Sequence, residues 1–205
     1  MLIYFFLTLP LFLLALVAHE YAHGWVANRL GDPTAKHFGR LTFNPLAHID
    51  IIGTIMLPIF LLLMRSSVIF GWAKPVPINF SFLKNPKRDM LWVGLAGPLA
   101  NIAMAIFIAV LLKATLLLNA YVVSLILSQL ALINVVLAVF NMLPIPPLDG
   151  SRILFSILPN KLAVNYIKLE PFGLLLLLGF LWLGLMAKIV WPAALIIIKL
   201  LGINI

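Results

Sequence analysis

Two stretches of this chain are long enough and apolar enough to cross a lipid bilayer as helices. Residues 91–112 and 119–140 are almost entirely apolar, with Lys113 in the turn between them, and a helix of about 20 such residues spans the hydrocarbon layer. Of the 205 residues, 64% are hydrophobic and 10% are charged, which leaves too few polar groups to cover a water-soluble protein. The sequence therefore predicts an all-α membrane protein that crosses the bilayer several times.

The remaining apolar runs set the number of membrane segments. No Lys or Arg precedes the first run and no small-residue cleavage site follows it, so we expect a retained helix and not a signal peptide. That helix should continue to about Leu30, with a kink at Pro10. We expect about five or six segments in one domain, residues 1–205, with a core over 1–158 and C-terminal membrane segments over 172–201. The other runs are residues 2–18, 51–64, 172–187 and 189–201.

The distribution of charge predicts the orientation in the membrane. Fourteen Lys and Arg residues against six Asp and Glu give a net charge of +8. The cations cluster at residues 29–88 and 152–168, so the positive-inside rule puts both regions in the cytoplasm. We expect a multi-pass protein of the cell membrane whose cations face the headgroups of the lipid bilayer and not nucleic acid.

Two cytoplasmic regions of this arrangement are predicted to be irregular. As a helix, residues 51–64 would reach only about 21 Å, short of a hydrocarbon core of about 30 Å, so we expect a re-entrant or interfacial segment. Turn-forming and alternating residues over 34–50 predict short strands, as in a β-hairpin, or an irregular loop.

Residues 19–23 form an H-E-x-x-H motif near the end of the first apolar helix. His19 and His23 are one helical turn apart, so both imidazoles face the same side and can bind one metal ion. Glu20 lies about 100° around the helix, where it can reach a metal-bound water without being a ligand. The chain has no cysteine, so His, Asp and Glu are the available metal ligands. The motif predicts a metal site near the cytoplasmic side of the membrane.

A catalytic zinc site of this kind needs a third protein ligand and one open position. Asp149 is the strongest candidate, because it follows a proline-rich break on the membrane side where His19 and His23 are expected. The alternative role for Asp149 is to cap a helix over residues 151–158, and the residues alone leave both roles open. The candidate carboxylates for this third ligand are Asp32, Asp50, Asp89 and Asp149.

Three motifs together resemble one known family. They are His-Glu-Tyr-Ala-His at residues 19–23, Gly-Pro-Leu-Ala-Asn at 97–101 and Asn-Met-Leu-Pro-Ile-Pro-Pro-Leu-Asp-Gly at 141–150. This set resembles the site-2 protease family of intramembrane zinc metallopeptidases, in its small form without a PDZ domain. The resemblance implies one Zn²⁺ ion with Asp149 as third ligand, Glu20 as general base and Asn141 as a group that stabilises the oxyanion. It also implies hydrolysis of peptide bonds in or near transmembrane segments of membrane-protein substrates, by a zinc-activated water.

A substrate of such an enzyme must be locally unwound, and an extended peptide can pair with an exposed strand. Residues 71–79 are the candidate strand. Pro75 and Pro77 remove donors from one edge, which leaves the amides of Val76 and Ile78 to bind substrate on the other. The alternative is a proline-rich connector that does not contact substrate.

Three further polar residues carry open alternatives. Asn101 is a candidate to contact substrate in the active site, or else forms a hydrogen bond between packed helices. His48 and Asp50 put another imidazole and carboxylate on the cytoplasmic side. With His37 they would form a second metal site, or else they anchor the loop around them.

One rival function uses the same residues. A metal-ion transporter or a metal-sensing membrane protein could bind its ion through His19, His23 and Asp149. Transporters usually carry internal repeats, and the sequence shows none. A general base such as Glu20 beside an open coordination position favours a hydrolase.

Overall fold

The computed structural model of the chain describes residues 2–64 and 71–203. Helices make up 76% of it, and the described residues contain no strand. The predicted all-α fold is therefore confirmed for the part of the chain described.

The first helix, α1, runs over Leu2–Arg29 with Pro10 inside it, as the sequence predicts. It ends where Gly31 adopts a φ of +115°, a conformation that favours glycine. The carboxylate of Asp32, which is fully buried, then accepts hydrogen bonds from the amides of Thr34 at 2.9 Å and Asn79 at 2.7 Å. These bonds fix the end of α1 against residues that follow much later in the chain.

For residues 34–50 the prediction was short strands or an irregular loop, and the strand alternative is wrong. Side chains start helical turns here, because Oδ1 of Asn44 accepts from the amide of Leu46 and the Asp50 carboxylate accepts from the amide of Gly53. Local capping therefore outcompetes strand pairing. The elements are α2 (Thr34–His37), a 3₁₀ turn (Pro45–His48), a π-helical turn (Ile51–Met56) and α3 (Leu57–Leu63).

The chain that leaves this region at Gly53 has returned to it by Trp72. The amide of Trp72 donates to the Gly53 carbonyl at 3.1 Å, and the Thr54 hydroxyl donates to the Trp72 carbonyl at 2.7 Å. The apolar helical stretch that contains Gly53, residues 51–63, is about 20 Å long. Arg65, one of the cations used for the orientation argument, lies outside the described residues.

Residues 71–79 are extended but do not form the predicted strand, so that prediction is also wrong. The amides of alternate residues point into the protein, which places Pro75 and Pro77 on the opposite edge. The acceptors of those amides belong to two helical turns and a side chain, so no ladder forms. The bonds are Trp72 to the Gly53 carbonyl (3.1 Å), Lys74 to the His48 carbonyl (3.0 Å) and Val76 to the Glu20 carboxylate (2.9 Å).

The two longest apolar runs form the predicted helical hairpin, α4 (Pro86–Leu117) and α5 (Tyr121–Asn141). Pro86 begins α4, where its missing amide hydrogen costs nothing, and the Asp89 carboxylate accepts from the amide of Asn85 at 2.8 Å. Both helices pack against α1. By length and composition, residues 86–115, 121–141 and 160–182 are able to cross a membrane.

The C-terminal part continues the helical fold. Residues 160–182 are interrupted by a 3₁₀ turn at Glu170–Phe172, and residues 189–201 are joined to the preceding helix by a π-helical turn at Met186–Val190. The last helix packs on α5, and its buried residues Ala194 and Ile198 belong to the same hydrophobic core as residues of α4 and α5. The helices are α6 (Asp149–Ile157), α7 (Asn160–Ile167), α8 (Gly173–Trp182) and α9 (Trp191–Leu200).

Candidate metal centre

His19 and His23 of α1 meet Asp149, the first residue of α6, in a closed triangle of atoms. The two Nε2 atoms are 3.0 Å apart, and Oδ2 of Asp149 lies 3.0 Å from His19 Nε2 and 3.1 Å from His23 Nε2. The exposed fractions of the three residues are 3%, 4% and 7%. Among the described residues this is the group of three potential ligands that could hold one metal ion. The cap residue of α6 is Leu148, so Asp149 is not the N-cap.

Two glycines of the sequence motifs allow this close approach. A Cβ on Gly97 would lie 2.3 Å from Nε2 of His23 and 2.5 Å from Nε2 of His19, and a Cβ on Gly150 would lie 2.3 Å from the carbonyl oxygen of Met142. Backbone of α4 therefore forms one wall of the triangle. The start of α6 is able to lie directly against the end of α5.

The hydrogen bond of His23 fixes which nitrogen faces the triangle. Its Nδ1 lies 2.6 Å from the carbonyl oxygen of Val93. Because a carbonyl only accepts, Nδ1 carries the proton and the lone pair of Nε2 points into the triangle.

The same argument applies to His19, whose Nδ1 lies 2.6 Å from Oδ1 of Asn101. The amide nitrogen of Asn101 donates to the carbonyl of Ala15 at 3.1 Å and to Oδ1 of Asn134 at 2.8 Å. Since the Ala15 carbonyl only accepts, the oxygen of the Asn101 amide faces His19. His19 Nδ1 is therefore a donor, and its Nε2 lone pair also points into the triangle.

These three atoms fit a zinc ion. With both imidazoles neutral and protonated at Nδ1, two lone pairs and a carboxylate oxygen converge, and a cation between them would stabilise this arrangement. Ligands held 2.0–2.1 Å from a tetrahedral zinc are separated by about 3.3 Å, close to the 3.0–3.1 Å seen here. Two imidazoles and one carboxylate also favour zinc over Mg²⁺ or Ca²⁺.

Glu20 is half-buried beside the triangle on α1, and its Oε2 accepts from the amide of Val76 at 2.9 Å. The donor of Val76 is therefore not available to a substrate in this structure, and the expectation that it lies on a free edge is wrong. Ile78, two residues on, is also half-buried. Asn141 ends α5, and its amide nitrogen donates to the carbonyl of Leu137 at 3.1 Å.

The other candidate ligands lie elsewhere. Asp32, Asp50 and Asp89 each accept hydrogen bonds from backbone amides at the start of a helix or turn. His48 is buried, with Nε2 2.9 Å from the Thr42 carbonyl oxygen, whereas His37 is exposed. For His48 and Asp50 these contacts favour the loop-anchoring alternative over a second metal site.

Two groups of the site, Asn134 and the carbonyl of Val93, are not among the residues predicted from the sequence. Asn134 is fully buried in the middle of the apolar residues 119–140. An amide in such a run is costly unless it is hydrogen-bonded, and this was the available signal. A backbone carbonyl leaves no signal in a sequence.

Comparisons with known proteins indicate the family of this chain. The model of the family "Peptidase family M50" matches residues 115–178, which include α5 and Asp149. The chain is 38% identical over 181 residues to "Putative zinc metalloprotease YwhC" of Bacillus subtilis, covering 85% of this chain and 79% of that protein. It is 30% identical over 146 residues to "Putative zinc metalloprotease Rip2" of Mycolicibacterium smegmatis, covering 71% of this chain and 55% of that protein.

A shorter match, at 37% identity over 79 residues, covers 38% of this chain and 22% of "Zinc metalloprotease MJ0392" of Methanocaldococcus jannaschii. No solved structure matches the chain. The extent of the first match, together with the family model, shows that the chain is a metalloprotease and belongs to peptidase family M50, the site-2 protease family.

Proposed function

We propose that this protein is an intramembrane zinc metalloprotease that hydrolyses peptide bonds in or near transmembrane segments of membrane-protein substrates. Glu20 is the general base for the attacking water. The observation that carries the proposal is the buried triangle of His19, His23 and Asp149 between long apolar helices, with a carboxylate beside it.

The depth of the site supports cleavage within the membrane. Asn101, the partner of His19, lies ten residues into the apolar residues 91–112, or about 15 Å along the helix. That distance is about half of the hydrocarbon core. Val93, the partner of His23, lies nearer the end of α4 that is preceded by cations. We therefore place the site in the membrane, towards the cytoplasmic side of a multi-pass protein.

The return of the chain from Gly53 to Trp72 supports a re-entrant path for residues 51–64. A single crossing would leave the two ends on opposite sides of the bilayer. The cations of residues 29–88 then stay in the cytoplasm, as the positive-inside rule requires.

Each residue of the proposed site has its own role in the reaction. When bound, zinc is a Lewis acid that polarises a carbonyl and makes a water molecule more acidic. The carboxylate of Glu20 takes the proton from the attacking water and returns it to the departing amine. The amide of Val76 holds Oε2 of Glu20 at 2.9 Å and so keeps this carboxylate oriented. The imidazoles hold their own protons at Nδ1, away from the reaction.

Asn141 is proposed to stabilise the oxyanion. Its amide now donates to the carbonyl of Leu137, one turn back in α5. The side chain is half-buried at the end of the helix, so rotation of its side chain would free the donor. Backbone and side-chain amides aimed at a developing negative charge contribute about 3 kcal/mol of transition-state stabilisation.

We assign substrate binding to the outer edge of residues 71–79, and no longer to the edge that carries the amide of Val76. Their inner edge is held by Gly53, His48 and Glu20. Because alternate residues share an edge, the outer edge presents the carbonyls of Pro75 and Pro77 without amide donors. A substrate that is unwound near Glu20 would pair by donating its own amides to these carbonyls. Ile78 is proposed to flank that contact.

The test compares the two glutamates of the chain. Full-length protein in zinc-containing proteoliposomes is incubated with a panel of single-span membrane proteins, and the products are mapped by mass spectrometry. Glu20→Gln should abolish cleavage while zinc content is unchanged. Glu170→Gln, at an exposed position, should cleave like the parent.

Equal cleavage by Glu20→Gln and the parent would remove the assigned base. Products cut only in the soluble parts of the substrates would show that the cleavage is not intramembrane. Either outcome is separate from zinc binding, which is measured on the same samples.

A further inference from the structure

A chain of buried amides connects α5 to the metal centre. Asn134 and Asn101 are both fully buried. The amide nitrogen of Asn134 donates to the carbonyl of Leu130 at 2.8 Å, and its oxygen accepts from Asn101 at 2.8 Å. The oxygen of Asn101 then accepts from Nδ1 of His19 at 2.6 Å.

Backbone carbonyls fix the donor and the acceptor of every hydrogen bond in this series of amides. The carbonyls of Leu130 and Ala15 only accept, so each amide nitrogen must face its own carbonyl. If the Asn101 amide were flipped, its oxygen would face the oxygen atoms of both Ala15 and Asn134. Placing acceptors against one another in a buried site is costly, so Asn134 adds a second barrier to the flip that Ala15 alone would not provide.

The flip matters because it would move the proton of His19 from Nδ1 to Nε2. An amide nitrogen facing Nδ1 would require an acceptor there, and the proton would move to Nε2. Nε2 would then be unable to coordinate a metal through its lone pair. His23 has no such dependence, because its Nδ1 donates to the backbone carbonyl of Val93.

We propose that Asn134 is a positioning residue for the zinc ligand His19, acting through Asn101 to keep the lone pair of His19 Nε2 aimed at the metal. The inference rests on the proposed zinc site but not on proteolysis. It predicts that one of the two imidazole ligands is controlled from a helix that contributes no ligand itself. Partners of metal-bound histidines typically change metal affinity by about 10–100-fold.

The test measures the zinc dissociation constant of the full-length protein in detergent, by competition with a chromophoric chelator. Asn101→Leu should weaken zinc binding by about 10–100-fold and Asn134→Leu by about 3–10-fold. Asn134→Asp keeps an acceptor for Asn101 in the same place and should retain tighter binding than Asn134→Leu. Val135→Ala, at the adjacent fully buried position, is the control for lost packing in α5.

Thermal unfolding of the metal-free variants separates positioning from stability. If Asn134→Leu and Val135→Ala lose zinc affinity equally, in proportion to their lost stability, the proposal is overturned. Zinc binding by Asn134→Leu equal to that of the parent would also overturn it. Should Asn134→Leu not fold, Asn134→Ser, whose hydroxyl is too short to reach Asn101, takes its place with the same expected loss. These measurements need no substrate, so they stand even if Glu20→Gln were to cleave normally.

Discussion

The amide of Val76 lies 2.9 Å from Oε2 of Glu20, and this bond joins the extended residues 71–79 to the proposed general base. Glu20 immediately follows His19 in α1. The segment proposed to bind substrate and the residue proposed to activate water are therefore held together by one backbone donor.

The first prediction removes that donor. Val76→Pro should lower kcat for membrane substrates by about 10–100-fold, because a hydrogen bond to a charged group contributes about 1.5–3 kcal/mol. Zinc content should not change. Val76→Ala keeps the amide and serves as the control, so equal rates for the two variants would contradict a role for the amide.

The second prediction concerns the wall that α4 forms beside the ligands. Gly97→Ala would put a Cβ 2.3 Å from Nε2 of His23, so the purified variant should contain little zinc. Gly179→Ala in α8 meets nothing within 4 Å and should bind one zinc per chain like the parent. Metal content is measured by elemental analysis of both proteins, and a normal zinc content in Gly97→Ala would refute the close approach.

The third prediction removes one of the three ligands. Asp149→Ala should weaken zinc binding by more than about 100-fold, because two imidazoles alone do not complete the site. Treatment of the parent with a chelator should abolish cleavage, and added Zn²⁺ but not Mg²⁺ should restore it. Asp50→Ala, which loses a bond to the amide of Gly53, is the control and should keep its zinc. If Asp149→Ala retained tight binding, another ligand would have to be sought.

The fourth prediction separates stability from chemistry. Asp32→Ala leaves the amides of Thr34 and Asn79 without their buried acceptor, so the protein should be destabilised by about 2–4 kcal/mol. Thermal unfolding in detergent should show the loss, while zinc content stays at one ion per chain. An unchanged midpoint would mean that the end of α1 is held by other contacts.

Hydropathy and motif spacing predicted much of this molecule. The α4–α5 hairpin, the length of α1 and the facing imidazoles of His19 and His23 follow from period and composition alone. The residues left Asp149 undecided between ligand and helix cap, and its approach to within 3.1 Å of both imidazoles depends on how α5 and α6 pack. Its role as a ligand stays a prediction.

The predictions that were wrong or incomplete have a common physical origin. Residues 34–50 carry turn-forming residues that a strand and a helical turn can both use, and the caps provided by Asn44 and Asp50 decided between them. Val76 has the expected extended conformation, but its donor is used by Glu20, 56 positions earlier. Asn134 meets Asn101 across 33 positions. Hydrogen bonds between residues so distant in sequence depend on how the helices pack, and local sequence patterns do not encode that packing.

The missing side chain at Gly97 constrains how this protein is able to move. There is less than a methyl group of clearance between α4 and the two imidazoles, so a sliding motion of α1 against α4 would disturb the proposed metal ligands. We therefore expect the α1–α4 pair to keep its packing when the proposed site works. Under the proposed function, a peptide would therefore enter on a different flank of α1, where residues 71–79 and not a helix lie against Glu20.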